Sequence, residues 1–294
     1  MKAASPTSSD PSSSPTLRRA PTAHRSNGNT ELKRRRGGAM RVGLIGFGFI
    51  GAEIYRRFAD HVSTAEIAFV HNRNRDRLKG VPDALVLDDL DDARAFAPDL
   101  VVEVAGPEVS ARHGEALLGI ADYMPLSLTA LADDALRARL VRSARLSGRS
   151  LFVAHGALVG LDSLVEWGAM WDRVSITFRK PPGSLGVAAD AVTAETVLFD
   201  GSVREIARRY PHNVNAMVAC ALATTGLDLC HARLIADPGI THLELAIEAI
   251  GRDGTRLAIE RRQPAVGVSG SEMAEAVCRS ILRAGGQSGA IEFV

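Results

Sequence analysis

Short apolar runs alternate with helix-like segments along residues 40–154 of the chain. The apolar runs predict strands, and the segments between them show the three- and four-residue spacing of amphipathic helices. Strands that read as continuous apolar runs are typical of a parallel sheet that is covered on both faces. The predicted strands are 41–47, 66–72, 84–87, 100–105, 123–127 and 150–154, and the predicted helices are 50–61, 109–119 and 133–147.

The pattern changes after about residue 170, where strands and helices no longer alternate regularly. This change predicts a second domain of the α+β class, built on an open sheet with helices on one face. The predicted strands there are 174–179, 196–199, 231–235, 243–249 and 256–260, and the predicted helices are 203–209, 215–225 and 271–284.

A glycine pattern of the form GxGxxG lies where the first strand meets the first helix, at Gly46, Gly48 and Gly51. In this context the first glycine permits a tight turn, the second lets the backbone approach a pyrophosphate, and the third lets the helix pack against the strand. The start of the helix, with Phe49 and Ile50, offers N–H groups and a positive dipole end to phosphates. The sequence therefore predicts a doubly wound Rossmann domain that binds a dinucleotide.

The second strand ends without the acidic residue that would bind the ribose 2′-hydroxyl of NAD. Asn72 takes that place, and Arg73 and Arg75 follow it. An asparagine does not repel a 2′-phosphate, and an arginine nearby can bind one. We therefore predict that NADP binds at least as well as NAD. The alternative is that these arginines are ordinary surface residues.

Charge and composition set the predicted domain organisation. Residues 1–39 are rich in Ser, Pro, Thr and Arg without apolar periodicity, which predicts a disordered basic tail. The run from Lys33 to Arg36 is either a nucleic-acid or targeting patch or a solvated tail that precedes a working start at Met40. The predicted units after the tail are a Rossmann domain over 40–170, an α+β substrate and oligomerisation domain over 171–270, and a C-terminal helix over 271–294 that packs on the Rossmann domain.

Composition also narrows the class of function. Residues 1–40 carry eight Lys/Arg and two acids, a net charge of +6, whereas the remainder carries 27 Lys/Arg and 32 acids, a net charge of −5. A mildly acidic body gives no electrostatic basis for nucleic-acid binding. No apolar run reaches the roughly 18 residues of a membrane helix. Three cysteines without paired spacing predict neither a disulfide framework nor a metal site, so we expect a cytoplasmic protein without metal, nucleic-acid or membrane partners.

Several segments in the right order give the chain a resemblance to a known family. The tyrosine–proline–histidine–asparagine run, which precedes an alanine-rich helix, is the most specific of them. With these segments the chain resembles the aspartate dehydrogenase family from Met40 to about residue 260. The segments are 101–108 (VVEVAGPE), 127–133 (SLTALAD), 155–162 (HGALVGLD), 179–182 (RKPP), 199–202 (FDGS), 210–216 (YPHNVNA) and 236–238 (ADP).

The resemblance implies oxidation of L-aspartate to iminoaspartate with NAD or NADP, followed by hydrolysis to oxaloacetate and ammonia. It implies a homo-oligomer, such as a homodimer. By motif, it places Ala130, Ala157 and Asn213 against the cofactor. The chain departs from the family at His155, where a serine is usual, and in the segment 266–271.

The resemblance also implies a catalytic histidine several residues after Asp237, just before a strand. His242 is the only histidine in that stretch, and an ungapped match places Leu245 at the catalytic position. A neutral imidazole can take a proton from the substrate amine and activate water against the imine. His242 is therefore the predicted catalytic group, with His155 and His212 as alternates. A histidine at a strand end without a catalytic role is the competing interpretation.

A dicarboxylate substrate requires cationic or N–H donors in the protein. Lys180, with Arg179 before it, can bind a carboxylate by charge-assisted hydrogen bonds. Asn215, like Asn213, can add an amide donor, and His155 lies in a motif that borders the predicted cleft. The competing interpretations are a solvated charge for the lysine and helix capping for the asparagines.

Two other functions remain open from the sequence. One is a dehydrogenase of a different amino or keto acid on the same scaffold. The other is a dinucleotide-binding regulatory protein without turnover, and the displaced histidine is the feature that separates it from an active aspartate dehydrogenase.

Overall fold

The structure, a computed structural model, describes residue 1 and residues 38–59, 64–156, 158–188, 191–265 and 273–286. Of the predicted tail, the structure describes only residues 1, 38 and 39, and residue 157 also lies outside the described residues. From Gly38 onwards the chain forms one compact unit with two β-sheets. In chain order its strands and helices are β1 Met40–Ile45, α1 Phe49–Ala59, β2 Ala65–His71, β3 Leu100–Glu103, α2 Pro107–Leu118, β4 Asp122–Pro125, α3 Asp134–Leu146, α4 Leu161–Glu166, β5 Trp171–Lys180, β6 Thr196–Ser202, α5 Val203–Arg209, α6 Asn215–Ala223, β7 His231–Ala236, β8 His242–Gly251, β9 Arg256–Pro264 and α7 Met273–Ala284.

The first sheet is parallel and has the strand order β2-β1-β3-β4. Successive residues of its strands enter two different apolar clusters, because side chains alternate between the faces of a sheet. Ile45 and Tyr123 pack against α2 and α3, whereas Leu44 and Met124 pack against α1 and α7. Burial on both faces explains the continuous apolar runs and confirms the predicted doubly wound fold.

Two of the six strands predicted for this sheet do not form. Residues 83–85 make a 3-10 turn, and Val86 forms only an isolated parallel bridge with Val70. Leu151 likewise forms only an isolated bridge, with Tyr123. Each segment meets the sheet at one residue, so its apolar side chains cover an edge without extending the ladder.

The second sheet is mixed, with the order β6-β7-β5-β8-β9. Only β5 and β7 are parallel, and the remaining pairs are antiparallel. Its strands alternate between buried and exposed residues, as in Phe178, Leu245 and Ile247 on the buried face. Helices α5 and α6 share the apolar cluster of that face, which confirms an α+β domain whose sheet has one covered side.

The last helix returns to the first sheet after the chain has completed the second. Val277 and Ile281 of α7 are fully buried in the same cluster as Leu44 and Ile54. Arg57 of α1 also forms an ion pair with Glu275. Helix α7 therefore closes one face of the first sheet, while the predicted domain boundaries at residues 40, 170 and 270 stay predictions.

Candidate active site

The carboxyl ends of the strands in the first sheet form one edge, and the glycine turn lies on it. Gly46 has a positive φ of 103°, and a Cβ there would lie 2.8 Å from the Ala105 nitrogen. A Cβ on Gly51 would lie 2.2 Å from the Gly46 oxygen. These two positions exclude any side chain, because β1, β3 and α1 approach too closely.

Gly48 differs from the other two glycines because space is open in front of it. The nearest atom to a Cβ placed there is Nη1 of Arg77, at 4.0 Å. This open position lies at the start of α1, next to the exposed Phe49 and the partly exposed Ile50. An anionic pyrophosphate fits such a position, since helix N-termini present N–H groups and positive potential. The turn therefore fits a dinucleotide.

Two of the residues after β2, Asn72 and Arg75, form hydrogen bonds with other residues of the protein. The Asn72 side chain accepts a hydrogen bond from the Phe47 nitrogen at 3.0 Å and donates one to the Asn74 oxygen at 2.8 Å. Arg75 is occupied by the carboxylate of Asp88, at 2.6 Å. Asn72 thus stabilises the glycine turn, and the guanidinium of Arg75 is paired with Asp88.

Arg77 is the basic residue of this segment that lies over the glycine turn, and the sequence reasoning missed it. Its position four residues after Arg73 in the run RNRDR, about one helical turn away, could have indicated it. Arg73 and its neighbours line a cavity of about 690 Å³ with an apolar side formed by Leu78, Val81 and Val86. This part of the edge combines apolar surface with positive charge.

A buried carboxylate holds two turns of the same edge together. Glu103, the last residue of β3, is fully buried and accepts hydrogen bonds from the nitrogens of Ala105 and Gly106 at 2.6 and 2.7 Å. It also accepts from the Ser127 nitrogen at 3.2 Å and from its hydroxyl at 2.9 Å. Burial raises the pKa of Glu103, and the four donors oppose that shift. The carboxylate fixes the loops that follow β3 and β4, beside the crevice between β1 and β3 where the strand order reverses.

The segment after β4 joins the first sheet to the loop before α6. The Thr129 nitrogen donates to the side-chain oxygen of Asn215 at 3.1 Å, and its hydroxyl donates to the Pro211 oxygen at 2.6 Å. Ala130, which follows, is buried. The predicted cofactor residue Ala130 and the predicted substrate residue Asn215 therefore lie at one junction.

Lys180 reaches the same loop from the second sheet. It is the last residue of β5, is 6% exposed, and donates a hydrogen bond to the Asn213 carbonyl at 3.2 Å. Its ammonium also lies 4.7 Å from the centre of the Phe178 ring. Burial and then the positive charge of Arg261 lower the pKa of Lys180 to about 8. The structure thus brings together Lys180, Asn213 and Asn215.

Gln263 lies on the same buried face of the second sheet as Lys180. Arg179 pairs with Glu244, so Lys180 stands beside Leu243, and Leu243 pairs with Gln263. Gln263 is 8% exposed, and neither polar atom of its amide has a hydrogen-bond partner within the described part of the chain. The sequence reasoning missed this residue, because its burial depends on strand pairing across the sheet.

His242 takes the opposite face of that sheet. Its Nε2 is hydrogen-bonded to Oε1 of Glu244 at 2.7 Å, and Glu244 also accepts from Nη1 of Arg179 at 3.2 Å. His242 and then Arg179 lower the pKa of Glu244. Leu245, at the position where the resemblance implies a catalytic histidine, is 2% exposed on the face of Lys180. The structure does not bring His242 together with the other predicted site residues.

The remaining histidines are divided between two places. The His155 nitrogen donates to the Ser280 hydroxyl at 3.3 Å, and its Nδ1 lies 3.4 Å from Nη1 of Arg283. Burial and then Arg283 lower the pKa of His155. His155 is thus held by α7, whereas His212 lies near Gly106, with its Cε1 3.9 Å from a Cβ placed there. The predicted cofactor residue Ala157 lies outside the described residues.

Neither a metal-binding cluster nor a membrane-spanning helix occurs in the described ranges. No group of three or more His, Cys, Asp or Glu side chains there is arranged to hold a metal ion. No helix there has the length and apolarity needed to span a membrane.

Comparisons with known proteins agree with this geometry. A family model described as the C-terminal domain of aspartate dehydrogenase matches residues 166–284, and one described as the NAD-binding domain of homoserine dehydrogenase matches residues 46–154. An aspartate dehydrogenase domain-containing protein of Xenopus tropicalis is 36% identical over 86% of this chain and 97% of its own length. L-aspartate dehydrogenase 2 of Bordetella pertussis is 35% identical over 67% of this chain and 78% of its own length.

A solved structure supports the same conclusion at the level of the fold. The crystal structure of aspartate dehydrogenase from Thermotoga maritima superposes with a TM-score of 0.67 at 26% identity, covering 87% of this chain and 99% of that one. The Rossmann sheet, the glycine turn and the attached mixed sheet define an NAD(P)-dependent dehydrogenase that uses NAD or NADP as its cofactor. Within this class the chain belongs to the L-aspartate dehydrogenase family, whose members are amino-acid dehydrogenases.

Proposed function

We propose that the protein oxidises L-aspartate to iminoaspartate, which water hydrolyses to oxaloacetate and ammonia. The observation that carries this proposal is the buried ammonium of Lys180, whose hydrogen bond within the described residues goes to a neutral carbonyl. A buried cation without a carboxylate partner is costly. A substrate carboxylate that enters beside Lys180 supplies the missing charge.

The position of Lys180 connects this anion site to the cofactor edge. Its partner, the Asn213 carbonyl, belongs to the loop that Thr129 binds through Pro211 and Asn215. That junction follows β4, at the edge that also carries the glycine turn. A carboxylate at Lys180 therefore holds the substrate between the second sheet and the dinucleotide-binding edge.

The chain's own residues bind and orient the reactants. Gly46, Gly48 and Gly51 shape the turn for the pyrophosphate, and Glu103 keeps the crevice beside it in place. A nicotinamide cofactor held by this turn would supply the hydride acceptor for the substrate Cα. Fixing the substrate by charge-assisted hydrogen bonds orients that carbon for transfer.

The proton acceptor is a separate question from substrate binding. His242 remains the prediction from the sequence, and its Nε2 is hydrogen-bonded to Oε1 of Glu244 at 2.7 Å. Because its side chain lies on the outer face of the second sheet, it must reach the cleft around the end of β8. A single substitution of His242 tests this requirement.

The quaternary structure and location are part of the same proposal. We infer a homo-oligomer in the cytoplasm, in which the outer face of the second sheet meets another copy. The partly exposed Thr177, Ala246 and Ile250 on that face support this inference. Sedimentation velocity of the purified protein tests it, and a strictly monomeric species at working concentration contradicts it.

A substrate screen tests the proposed reaction. The twenty amino acids, malate and succinate are each incubated with NAD and with NADP, and the absorbance of the reduced cofactor is followed. We expect turnover with L-aspartate and little with L-asparagine or L-alanine, each of which lacks one carboxylate. Turnover with another amino or keto acid in place of L-aspartate would assign the scaffold to that substrate instead.

A further inference from the structure

Among the described residues with buried, unpartnered polar atoms, Gln263 is the one in which two such atoms belong to the same side chain. It lies on β9, is 8% exposed, and has no hydrogen-bond partner for Oε1 or Nε2 among the described residues. A buried amide with both groups unsatisfied destabilises the folded protein. A leucine of similar size would avoid this cost, so the glutamine serves a purpose other than packing.

The pairing of the strands sets where this amide lies. Lys180, Leu243 and Gln263 form one row across β5, β8 and β9, and all three side chains are on the buried face. With neighbouring strands about 4.8 Å apart, the Cα atoms of Lys180 and Gln263 are roughly 10 Å apart. A cation and an amide thus flank an apolar floor, an arrangement that suits a short molecule with a polar group at each end.

We propose that Gln263 is a specificity-determining residue that binds both charged groups of an amino dicarboxylate, donating from Nε2 to a carboxylate and accepting at Oε1 from the α-ammonium. Lys180 binds the other carboxylate. This inference rests on the proposed function and names the residue that distinguishes an amino acid from a plain dicarboxylate. Because both amide atoms are closed to water, the side chain turns toward the cleft as the substrate enters.

The amide is suited to this role by its two different ends. An ammonium requires an acceptor and a carboxylate requires a donor, and an amide provides one of each without a net charge. A carboxylate at position 263 would instead attract Lys180 and repel the substrate. A site built to hydrogen-bond a substrate group discriminates strongly against a molecule that lacks this group.

The test uses the full-length protein with the variants Gln263→Leu and Gln263→Glu. The matched control is Glu260→Gln, which lies on the same strand but on its exposed face. KM and kcat are measured with L-aspartate, and the Kd of L-aspartate and of succinate, which lacks the amino group, is measured by calorimetry with the cofactor present. Tm is recorded for each protein without ligand.

For Gln263→Leu we expect a KM for L-aspartate at least tenfold higher, a kcat within about threefold, and a smaller loss for succinate, since only one of the two bonds is removed. Ligand-free Gln263→Leu should melt a few degrees higher than the wild type, because two unsatisfied polar atoms are gone. Gln263→Glu should weaken binding of both L-aspartate and succinate, and Glu260→Gln should leave the affinity for both unchanged.

Four results would contradict the inference or the proposed function. If Gln263→Leu leaves both ligands within twofold and lowers Tm, the residue is structural. If Gln263→Leu weakens binding of L-aspartate and of succinate equally, Gln263 does not contact the ammonium group. If the wild type neither binds nor oxidises L-aspartate but Gln263→Leu still loses succinate, the proposed substrate fails while the carboxylate contact stands. A wild type that binds neither molecule contradicts both proposals.

Discussion

At the scale of the residue, the face of the second sheet on which a side chain lies decides its chemistry. Lys180, Leu245 and Gln263 lie on the buried face, while His242 and Glu244 lie on the other. A shift of one position along a strand moves a side chain to the opposite face. Sequence motifs can identify these residues, but only the register shows which of them meet.

Lys180 provides the first prediction. Its pKa of about 8 in the folded protein lies below the usual 10.5, so the folded state gives up this proton before the unfolded state does. The free energy of unfolding therefore rises with pH between about 8 and 10.5. Below pH 8 the buried ammonium lowers this free energy by its full amount. Lys180→Met should be more stable than the wild type at pH 7, by up to about 3 kcal/mol, and this difference should shrink above pH 8.

The same substitution should weaken binding of a dicarboxylate. At pH 7 we expect the Kd of succinate to rise about 10- to 100-fold in Lys180→Met. In the wild type, succinate affinity should fall as the pH rises through about 8, because the ammonium becomes neutral. Denaturant unfolding and calorimetry across pH 6.5–9.5 measure both effects. A variant that is less stable at pH 7 and binds succinate normally would show that Lys180 has only a structural role.

Arg77 provides the second prediction, which concerns the choice between NAD and NADP. Its guanidinium lies over Gly48, whereas Arg75 is held by Asp88. We expect Arg77→Ala to weaken binding of 2′,5′-ADP at least tenfold and binding of ADP by a smaller factor, because both carry phosphate near Gly48 and only the former adds a 2′-phosphate. Arg75→Ala is the matched control and should change neither ligand.

The wild type should bind NADP at least as well as NAD. Fluorescence titration with the reduced cofactors measures this ratio. A preference for NAD of more than about tenfold, roughly 1.4 kcal/mol, would mean that Arg73 and Arg77 do not meet the ribose.

His242 provides the third prediction. A general acid–base group contributes about 10²- to 10⁴-fold to turnover, and a loss of that size in His242→Ala would place the imidazole in the cleft. Its position on the outer face, bound to Glu244, leads us to expect a loss below about tenfold. Steady-state kinetics with L-aspartate distinguish these two sizes of loss in turnover. The variant Glu244→Gln shows whether any loss depends on the hydrogen bond between His242 and Glu244.

At the scale of the element, the turn between β1 and α1 was predictable because the three glycines meet distinct steric demands. The GxGxxG spacing identified the close approach at Gly46 and Gly51 and the open position at Gly48. In contrast, the segments 84–87 and 150–154 have the composition of strands but make only isolated bridges. Composition does not show whether a short apolar run finds a complete neighbouring strand.

The candidate site was predictable to a similar degree. The residues carried by contiguous motifs, such as Asn213 and Lys180, meet in the structure. The roles of Gln263 and Arg77 depend on contacts between strands or turns that are distant in sequence or lie outside the motifs. Neighbouring residues along the chain therefore could not indicate the role of Gln263, whereas the position of Arg77 in the run RNRDR was a signal for that residue.

The turn itself supports a fourth prediction. Gly48→Asp should abolish dinucleotide binding, because the side chain would enter the open space and add a negative charge opposite the pyrophosphate. The protein should remain folded, since no atom lies closer than 4.0 Å to a Cβ at this position. Circular dichroism and cofactor titration check the two parts, and retained cofactor affinity would contradict the assigned role of the turn.

At the scale of the whole molecule, two kinds of contact join the sheets. The Thr129 side chain and nitrogen bind the loop before α6 that Lys180 also contacts, and the chain itself crosses back when α7 packs on the first sheet. The cofactor edge and the anion site thus share one framework. We expect such a framework to unfold as a unit.

Ile281 tests this cooperativity. It is fully buried in α7 against the first sheet, so Ile281→Ala should lower the free energy of unfolding by about 2–5 kcal/mol. Arg279→Ala, on the exposed side of the same helix, should change it by less than about 0.5 kcal/mol. Trp171 in β5 and Trp167, whose ring lies against it, report on the second sheet, and the fluorescence of bound NADPH reports on the first. If the molecule unfolds as one unit, both signals shift to the same lower denaturant midpoint in Ile281→Ala. Release of NADPH at a lower denaturant concentration than the tryptophan transition would show instead that α7 stabilises only the first sheet.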